Sequence, residues 1–309
     1  MIRVYSPATI GNISVGFDTL GIAISPIDNS NFGDIVEIKE HKKFEIKNIG
    51  KFSEQLPVVF TENIIWKCWK YFCKKINKKI SVLITLEKNM PIGSGLGSSA
   101  CSISASLVAM NEFCKKPLSK KELLNIMGRL EGEISGNIHY DNVAPCFLGG
   151  LQIILQSKKY ISQSIPYFKN WKWVVAWPGT NVSTSKARKI LPKRYKLHTC
   201  IEHSRNLAGF IHSSYSAQQK LAISFIKDII AEPYRMKYIP GFLKMRKNLK
   251  KEGSIGFGIS GSGPTIFSIC NNTESANSIS KWLEKNYLIN NQGFVKICKV
   301  NNKGTVIKR

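Results

Sequence analysis

Two rhythms organise the apolar positions of this chain: alternation or short apolar runs in some segments, and helical spacing in others. Residues 3–5, 20–27, 34–39 and 81–86 are rich in apolar and β-branched side chains and read as strands. Between the last two, Ile64, Ile65, Trp69, Phe72 and Ile76 share one face of a helix over residues 61–76, with Thr61 placed to cap it. Residues 98–113 contain neither Gly nor Pro, are rich in Ala, Ser and Leu at first, and predict a second helix. Ser119 with Glu122 matches a capping box for a third, running through Leu130. A strand over residues 147–155 gives way to the polar stretch 156–170, which contains Pro166. That stretch is the expected boundary between one domain over residues 1–168 and another over 169–309. The second half opens on a strand at 173–177. Helices are expected at 199–215 (Thr199 and Glu202 forming its capping box), 217–230 and 242–251. A strand at 266–270, a helix at 274–287 and a strand at 293–300 close the chain.

Composition narrows the function classes. Hydrophobic residues make up 43% of the 309 positions, enough for a real core, and no apolar run is long enough to span a bilayer. The first residues lack a signal-peptide pattern, so no membrane partner is expected. Eight scattered cysteines without a Cys-x-x-Cys pair read as free thiols in a reducing cytoplasm. The formal charge of +25 raises the question of nucleic acid. Its excess is lysine, spread along the chain and densest at Lys74, Lys75, Lys78 and Lys79 and over residues 244–251, with no recognition motif interleaved. A solvated basic surface is the expectation, and no nucleic-acid partner. His198, Cys200 and His203 fit no common metal-site spacing.

The densest chemistry lies between the strand at 81–86 and the helix at 98–113. There the chain reads Pro91-Ile92-Gly93-Ser94-Gly95-Leu96-Gly97-Ser98-Ser99-Ala100-Cys101. A strand, a glycine loop and a helix N-terminus make an anion site, because glycine lets backbone approach closely and the first helical N–H groups are unpaired. No Gly-Lys-Ser/Thr follows, which excludes a Walker A loop, and the spacing is not that of a dinucleotide fingerprint. Alone, the stretch also fits a glycine turn capped by Ser98. Two further blocks accompany it. Residues 6–18 contain Pro7, Gly11 and Gly16 and expose Asn12 and Asp18 on a loop, where such side chains commonly bond their own backbone. Residues 131–145 gather Glu131, Glu133, His139, Asp141 and Asn142 within a short span. A second glycine loop occupies residues 256–265.

In this order the blocks resemble the three motifs of the GHMP kinases, the glycine loop matching Pro-x-x-x-Gly-Leu-Gly-Ser-Ser-Ala. Gly11 is a mild departure, standing where a small alanine is commoner in that family. The resemblance implies an α+β fold, with an N-terminal ATP-binding domain and a C-terminal ferredoxin-like α+β domain. It implies ATP held by the backbone from Pro91 to Cys101, with Asn63 near the adenine; a plain helix-start Asn is the competing reading of Asn63. It implies Mg2+ on Ser99 and Glu131, Glu133 being the competing carboxylate. The run His139-Tyr140-Asp141-Asn142-Val143-Ala144-Pro145 resembles the branch that acts on homoserine. That branch implies phosphorylation of L-homoserine to O-phospho-L-homoserine in threonine biosynthesis, and a homodimer. By the same resemblance, substrate would meet Asn12, Asp18, His139, Asp141, Asn142, Thr184, Arg188 and Arg235. Asp18 with Asn12 suits an ammonium, Arg188 and Arg235 suit a carboxylate, and His139, Asp141 and Asn142 would surround the reacting hydroxyl. Asparagine cannot accept a proton, and a loose transition state gains more from positioning than from a base, which favours direct attack by the hydroxyl.

Overall fold

The computed structural model describes residues 1–157 and 159–308. Its strands are β1 (Ile2–Pro7), β2 (Thr9–Gly11), β3 (Leu20–Pro26), β4 (Gly33–Glu40), β5 (Glu45–Ile49), β6 (Val82–Glu87), β7 (Leu151–Ile154), β8 (Ser162–Ile165), β9 (Lys172–Trp177), β10 (Gly256–Ile259), β11 (Ile266–Cys270), β12 (Phe294–Val300) and β13 (Val306–Lys308). The α-helices are α1 (Ile64–Ile76), α2 (Ser98–Phe113), α3 (Lys120–Ser135), α4 (Val143–Leu148), α5 (Thr184–Lys189), α6 (Leu197–Tyr215), α7 (Gln219–Phe225), α8 (Glu232–Arg235), α9 (Phe242–Lys251) and α10 (Thr273–Asn286).

Two sheets result. One runs β13-β1-β4-β6-β5, so the last strand of the chain lies antiparallel to the first. The other runs β10-β11-β9-β12-β3-β7-β8, with β2 paired to β3. Strand β12 joins the halves of the second sheet through Cys298↔Pro26, Lys299↔Ser25 and Val300↔Ile24. Within it, the order β10-β11-β9-β12 is antiparallel throughout and is the ferredoxin-like arrangement. Phe242, Met245 and Leu249 of α9 and Ala276, Ile279 and Leu283 of α10 pack with Val174, Ala176 and Ile266 of the strands.

Helix α2 is the element on which the site rests. Ala100, Ser102, Ser104, Ala105, Ser106 and Ala109 are all buried, so these small side chains let α2 lie against β1 and β4 on one side and α1 and α3 on others. Buried hydroxyls need partners, and they have them: Ser102 Oγ donates to Asp34 and Ser106 Oγ to the Ser102 carbonyl. Leu107 and Met110 add fully buried apolar surface, each contributing about 1.5–3 kcal/mol.

The structure departs from the sequence reading at several element ends. Asn63, not Thr61, caps α1, its side chain accepting from the Ile65 N–H. The α3 capping box forms as expected between Ser119 and Glu122. Helix α6 starts at Leu197 without a side-chain cap, and Glu202 pairs with Lys227 instead of closing a box with Thr199. The helix expected over 217–230 stops at Phe225, because Asp228 takes the next backbone N–H groups into a separate turn. The polar stretch 156–170 contains β8, an edge strand beside β7. Residues 143–148 are helical, where the apolar pattern places the start of a strand at 147. Short, edge or polar strands carry little alternation, which is why β2, β5, β8 and β13 escape a reading by pattern.

Candidate active site

A cavity of about 390 Å³ opens where the two sheets and α2 meet. One wall is the glycine loop. Gly93, Gly95 and Gly97 have φ of +69°, +86° and +67°, a backbone region closed to most L side chains. At Gly95 a Cβ would also stand 2.4 Å from the Ser260 carbonyl oxygen, because the second glycine loop is docked there. Ser260 Oγ donates to the Gly95 carbonyl at 2.7 Å, and the Thr265 N–H to the Ser94 carbonyl at 3.1 Å. Gly97 is the N-cap of α2 and offers no side-chain acceptor, so the first N–H groups of the helix are left to face the cavity wall formed by Gly97, Ser98 and Ser99.

The opposite wall is made of charged side chains from distant parts of the chain. Arg188, on α5, donates through Nη1 and Nη2 to both Asp18 oxygens at 2.7 and 2.8 Å. Arg235, on α8, is 4% exposed and donates to the Gly261 carbonyl at 2.7 Å and to the Ala187 carbonyl at 3.3 Å. The Phe17 ring lies 5.8 and 5.2 Å from the two guanidinium carbons. Asp18 is presented by a turn in which Asn12, Ile13 and Ser14 take φ of 70°, 49° and 60°. For Ile13, a β-branched residue, that conformation is strained. The turn is held by Asn12, whose Oδ1 accepts from the Asp18 N–H at 2.9 Å. Asn12 is thus buried, contrary to the exposed loop position that the sequence suggests.

Between the walls stand the groups of the 131–145 block. His139 Nδ1 lies 2.9 Å from Asp141 Oδ1, and its Nε2 lies 3.8 Å from Glu131 Oε2. Asn142 donates to Asp141 Oδ2 at 3.0 Å and accepts from Thr9 Oγ1 at 2.9 Å. Gly11 has a steric reason here: a Cβ on it would come within 2.6 Å of Asp141 Oδ2. Burial opposes a charge on His139, but the bonded Asp141, with Glu131 and Asp18 nearby, outweighs it and pushes the imidazole up to about 9. At neutral pH this histidine is a cation. Burial also works against ionised Asp141, yet the His139 bond and charge, with Arg188, hold its carboxyl below the usual range. Glu131 goes the other way: burial pushes its carboxyl up, against the pull of His139 and of the hydrogen bond from Ser99.

The cavity brings together Asn12, Asp18, Ile92, Gly93, Ser94, Gly95, Gly97, Ser98, Ser99 and Glu131 with His139, Asp141, Asn142, Thr184, Arg188 and Arg235. Five expected contacts do not line it. Leu96, Ala100 and Cys101 are wholly buried, and Cys101 Sγ points to the Pro7 carbonyl. Pro91 lies at the base of the loop, and Asn63 is turned into the cap of α1 and towards Asn48. Missing from the sequence reading is Lys88. Its ammonium is buried beside the cavity and donates to Asp34, to the Ser98 carbonyl at 2.9 Å and to Ser102 Oγ at 3.0 Å. A lysine at the end of an apolar strand, with an aspartate starting another, is the one signal the sequence offers for it.

Two family models match the chain: the GHMP kinases N terminal domain over residues 63–150 and the GHMP kinases C terminal domain over residues 215–288. The chain belongs to the GHMP kinases. Its relatives include the homoserine kinase of Buchnera aphidicola subsp. Acyrthosiphon pisum (strain Tuc7), 62% identical over 98% of each chain. The homoserine kinase of Buchnera aphidicola subsp. Cinara cedri (strain Cc) is 59% identical over 98% of this chain and 96% of that one. Among solved structures, homoserine kinase from Cytophaga hutchinsonii ATCC 33406 superposes with a TM-score of 0.90 at 32% identity, covering 99% of this chain and 97% of the other. A mevalonate kinase from L. major, at 13% identity and a TM-score of 0.72 over 98% and 97% of the two chains, shares the fold. This GHMP kinase is therefore an ATP-using phosphotransferase with the two-part α+β fold of its family. Among the described residues no helix is long and apolar enough to cross a membrane.

Proposed function

We propose that the protein transfers the γ-phosphoryl group of ATP to the side-chain hydroxyl of L-homoserine, giving O-phospho-L-homoserine and ADP, the step that serves threonine biosynthesis. The observation that carries this is the convergence, in one cavity, of a helix N-terminus with an Asp18–Arg188–Arg235 cluster able to recognise an amino acid. The high identity to curated homoserine kinases supports the same acceptor.

The glycine loop and the start of α2 supply N–H donors and a favourable dipole for the phosphates. Ser99 and Glu131 fit a magnesium ion: a hydroxyl bonded to a buried carboxylate whose burial raises its pKa is a hard-oxygen pair that a cation would stabilise. Such an ion supplies charge neutralisation on the phosphates. At the other end, Arg235 would take the carboxylate, while Asp18 would take the ammonium on oxygen lone pairs that Arg188 leaves open. Arg188 then fixes the orientation of Asp18 as well as adding positive charge. Asp141 and Asn142, themselves hydrogen-bonded, would orient the hydroxyl. His139 is already protonated and Asp141 is a weakened base, so neither suits proton abstraction. The hydroxyl oxygen attacks the γ-phosphorus, the bond to the ADP oxygen breaks, and the hydroxyl proton passes to a phosphoryl oxygen. The cation at His139 favours the charge that gathers there.

The GHMP kinase halves near residues 1–168 and 169–309, a homodimer, and a reducing cytoplasmic setting complete the proposal. Free cysteines, most of them buried, support the setting. Incubation with ATP, magnesium and L-homoserine should give one equivalent of ADP per phosphorylated amino acid, seen by mass and by ³¹P resonance. ATP turnover on mevalonate but not on homoserine would overturn the assignment.

A further inference from the structure

Asp228 lies outside the cavity, yet its backbone bonds shape the turn that carries Arg235. It is 9% exposed, and its two oxygens accept three backbone N–H groups in succession: Ile230 at 2.8 Å, Ala231 at 2.8 Å and Glu232 at 3.1 Å. Those bonds fold the chain into α8, whose last residue is Arg235, with the Arg235 N–H returned to the Ala231 carbonyl at 3.0 Å. Tyr195 holds the same turn from outside, donating to the Ile230 carbonyl at 3.1 Å. From this anchored turn the Arg235 guanidinium reaches past Ala187 to Gly261 and the cavity. A buried guanidinium bonded only to neutral carbonyls is costly unless a negative charge lies near it. Burial pulls Arg235 down, and Asp228 is the foremost of the acidic groups that push it back up.

We propose that Asp228 is the positioning residue for recognition of the acceptor's carboxylate: it fixes the turn that aims Arg235. The inference rests on Arg235 as the carboxylate-binding group. Removing the carboxylate of Asp228 should then cost affinity only for acceptors that carry a carboxylate, because the phosphate end of the site is built on α2.

The test uses the full-length enzyme with Asp228→Ala and with the isosteric Asp228→Asn, which keeps an acceptor oxygen but loses the charge. For each, kcat/KM is measured on L-homoserine, on 4-hydroxybutyrate (no ammonium) and on 3-aminopropanol (no carboxylate), together with the KM for ATP. Asp228→Ala should lower kcat/KM about tenfold or more on the two carboxylates, through KM, and by less than about twofold on 3-aminopropanol. Asp228→Asn should show the same selectivity with a smaller loss, and it carries the test if the alanine variant does not fold. The KM for ATP should stay within about twofold. Equal losses on all three acceptors, a matching rise in the KM for ATP, or no loss on the carboxylates would overturn the proposal. Arg235→Lys separates the two levels. If it fails to narrow the advantage of homoserine over 3-aminopropanol, the carboxylate role of Arg235 falls and the Asp228 proposal with it. If it narrows that advantage and the Asp228 variants do not, the proposal alone is wrong.

Discussion

The two ends of the cavity are built by different means. The end proposed for the phosphates is main chain: closely spaced glycines in left-handed conformations, a helix N-terminus and a second glycine loop pressed against the first. The end proposed for the acceptor is side chain: Asp18 and Arg188 meet across 170 positions of sequence, and Arg235 arrives from a third element. A main-chain site binds what every phosphate shares. A side-chain site can be rewritten residue by residue, so choice of acceptor belongs there.

The sharpest way to break the comparison is at the seam, where Glu131 faces both ends. Glu131→Gln should leave the fold intact and lower turnover on the order of a thousandfold, by removing the charged oxygen proposed to hold magnesium. Its KM for homoserine should change far less. Near-normal turnover at ordinary magnesium would move the metal role to another carboxylate, with Glu133 the first to try.

The acceptor end should also betray itself through pH. His139 is raised from 6.5 to about 9 in the folded protein, so its contribution to stability is fully present below pH 6.5 and is lost as pH climbs through about 9. The difference corresponds to about 3 kcal/mol. Thermal unfolding of the wild type should therefore show falling stability across that window, and His139→Gln should flatten it. An unchanged slope in the variant would mean that another group carries the titration. Because the imidazole is already charged at neutral pH, kcat should show no limb near 6.5 that vanishes with His139.

A smaller effect is expected at the main-chain end. Gly95→Ala forces a Cβ into the Ser260 carbonyl at a φ of +86° and should cost about 2 kcal/mol of stability. The displaced loop should raise the KM for ATP more than that for homoserine. The reverse pattern would show that the two ends are not separable as described.

Legibility in the sequence follows the same division. Glycine writes backbone conformation locally, so the left-handed loop at residues 91–101 ahead of a helix can be read from the residues, while its pairing with the blocks at 6–18 and 131–145 is what points to phosphate. The absence of Gly and Pro over residues 98–113 likewise marks the helix α2, though not how deeply the fold buries it. Partnerships between distant side chains leave no local mark. Asp18 and Arg188 are each legible as charged candidates, but not as a bidentate pair, because nothing in their neighbours specifies the contact. Lys88 and Asp34 look like ordinary strand-end charges until the fold buries both. The left-handed turn at Asn12–Ile13–Ser14 is hidden for another reason: it is made by non-glycine residues, while the adjacent Gly11 is required for room beside Asp141. Asn63 carries two readings at once. Its position suggests a ligand contact, and the simpler N-cap preference of asparagine accounts for where its side chain goes.

Acceptor selectivity in the wild-type enzyme tests the amino-acid reading of the cavity most directly. Steady-state kcat/KM should be measured with ATP and magnesium on L-homoserine, 4-hydroxybutyrate, 3-aminopropanol and mevalonate. A charge-assisted hydrogen bond is worth roughly 1.5–3 kcal/mol, so each missing end of the amino acid should cost about ten- to a hundredfold. Homoserine leading every other acceptor by at least that margin is the predicted result. Equal use of 4-hydroxybutyrate or mevalonate would contradict it, because the Asp18 end of the cavity would then not be reading an ammonium group.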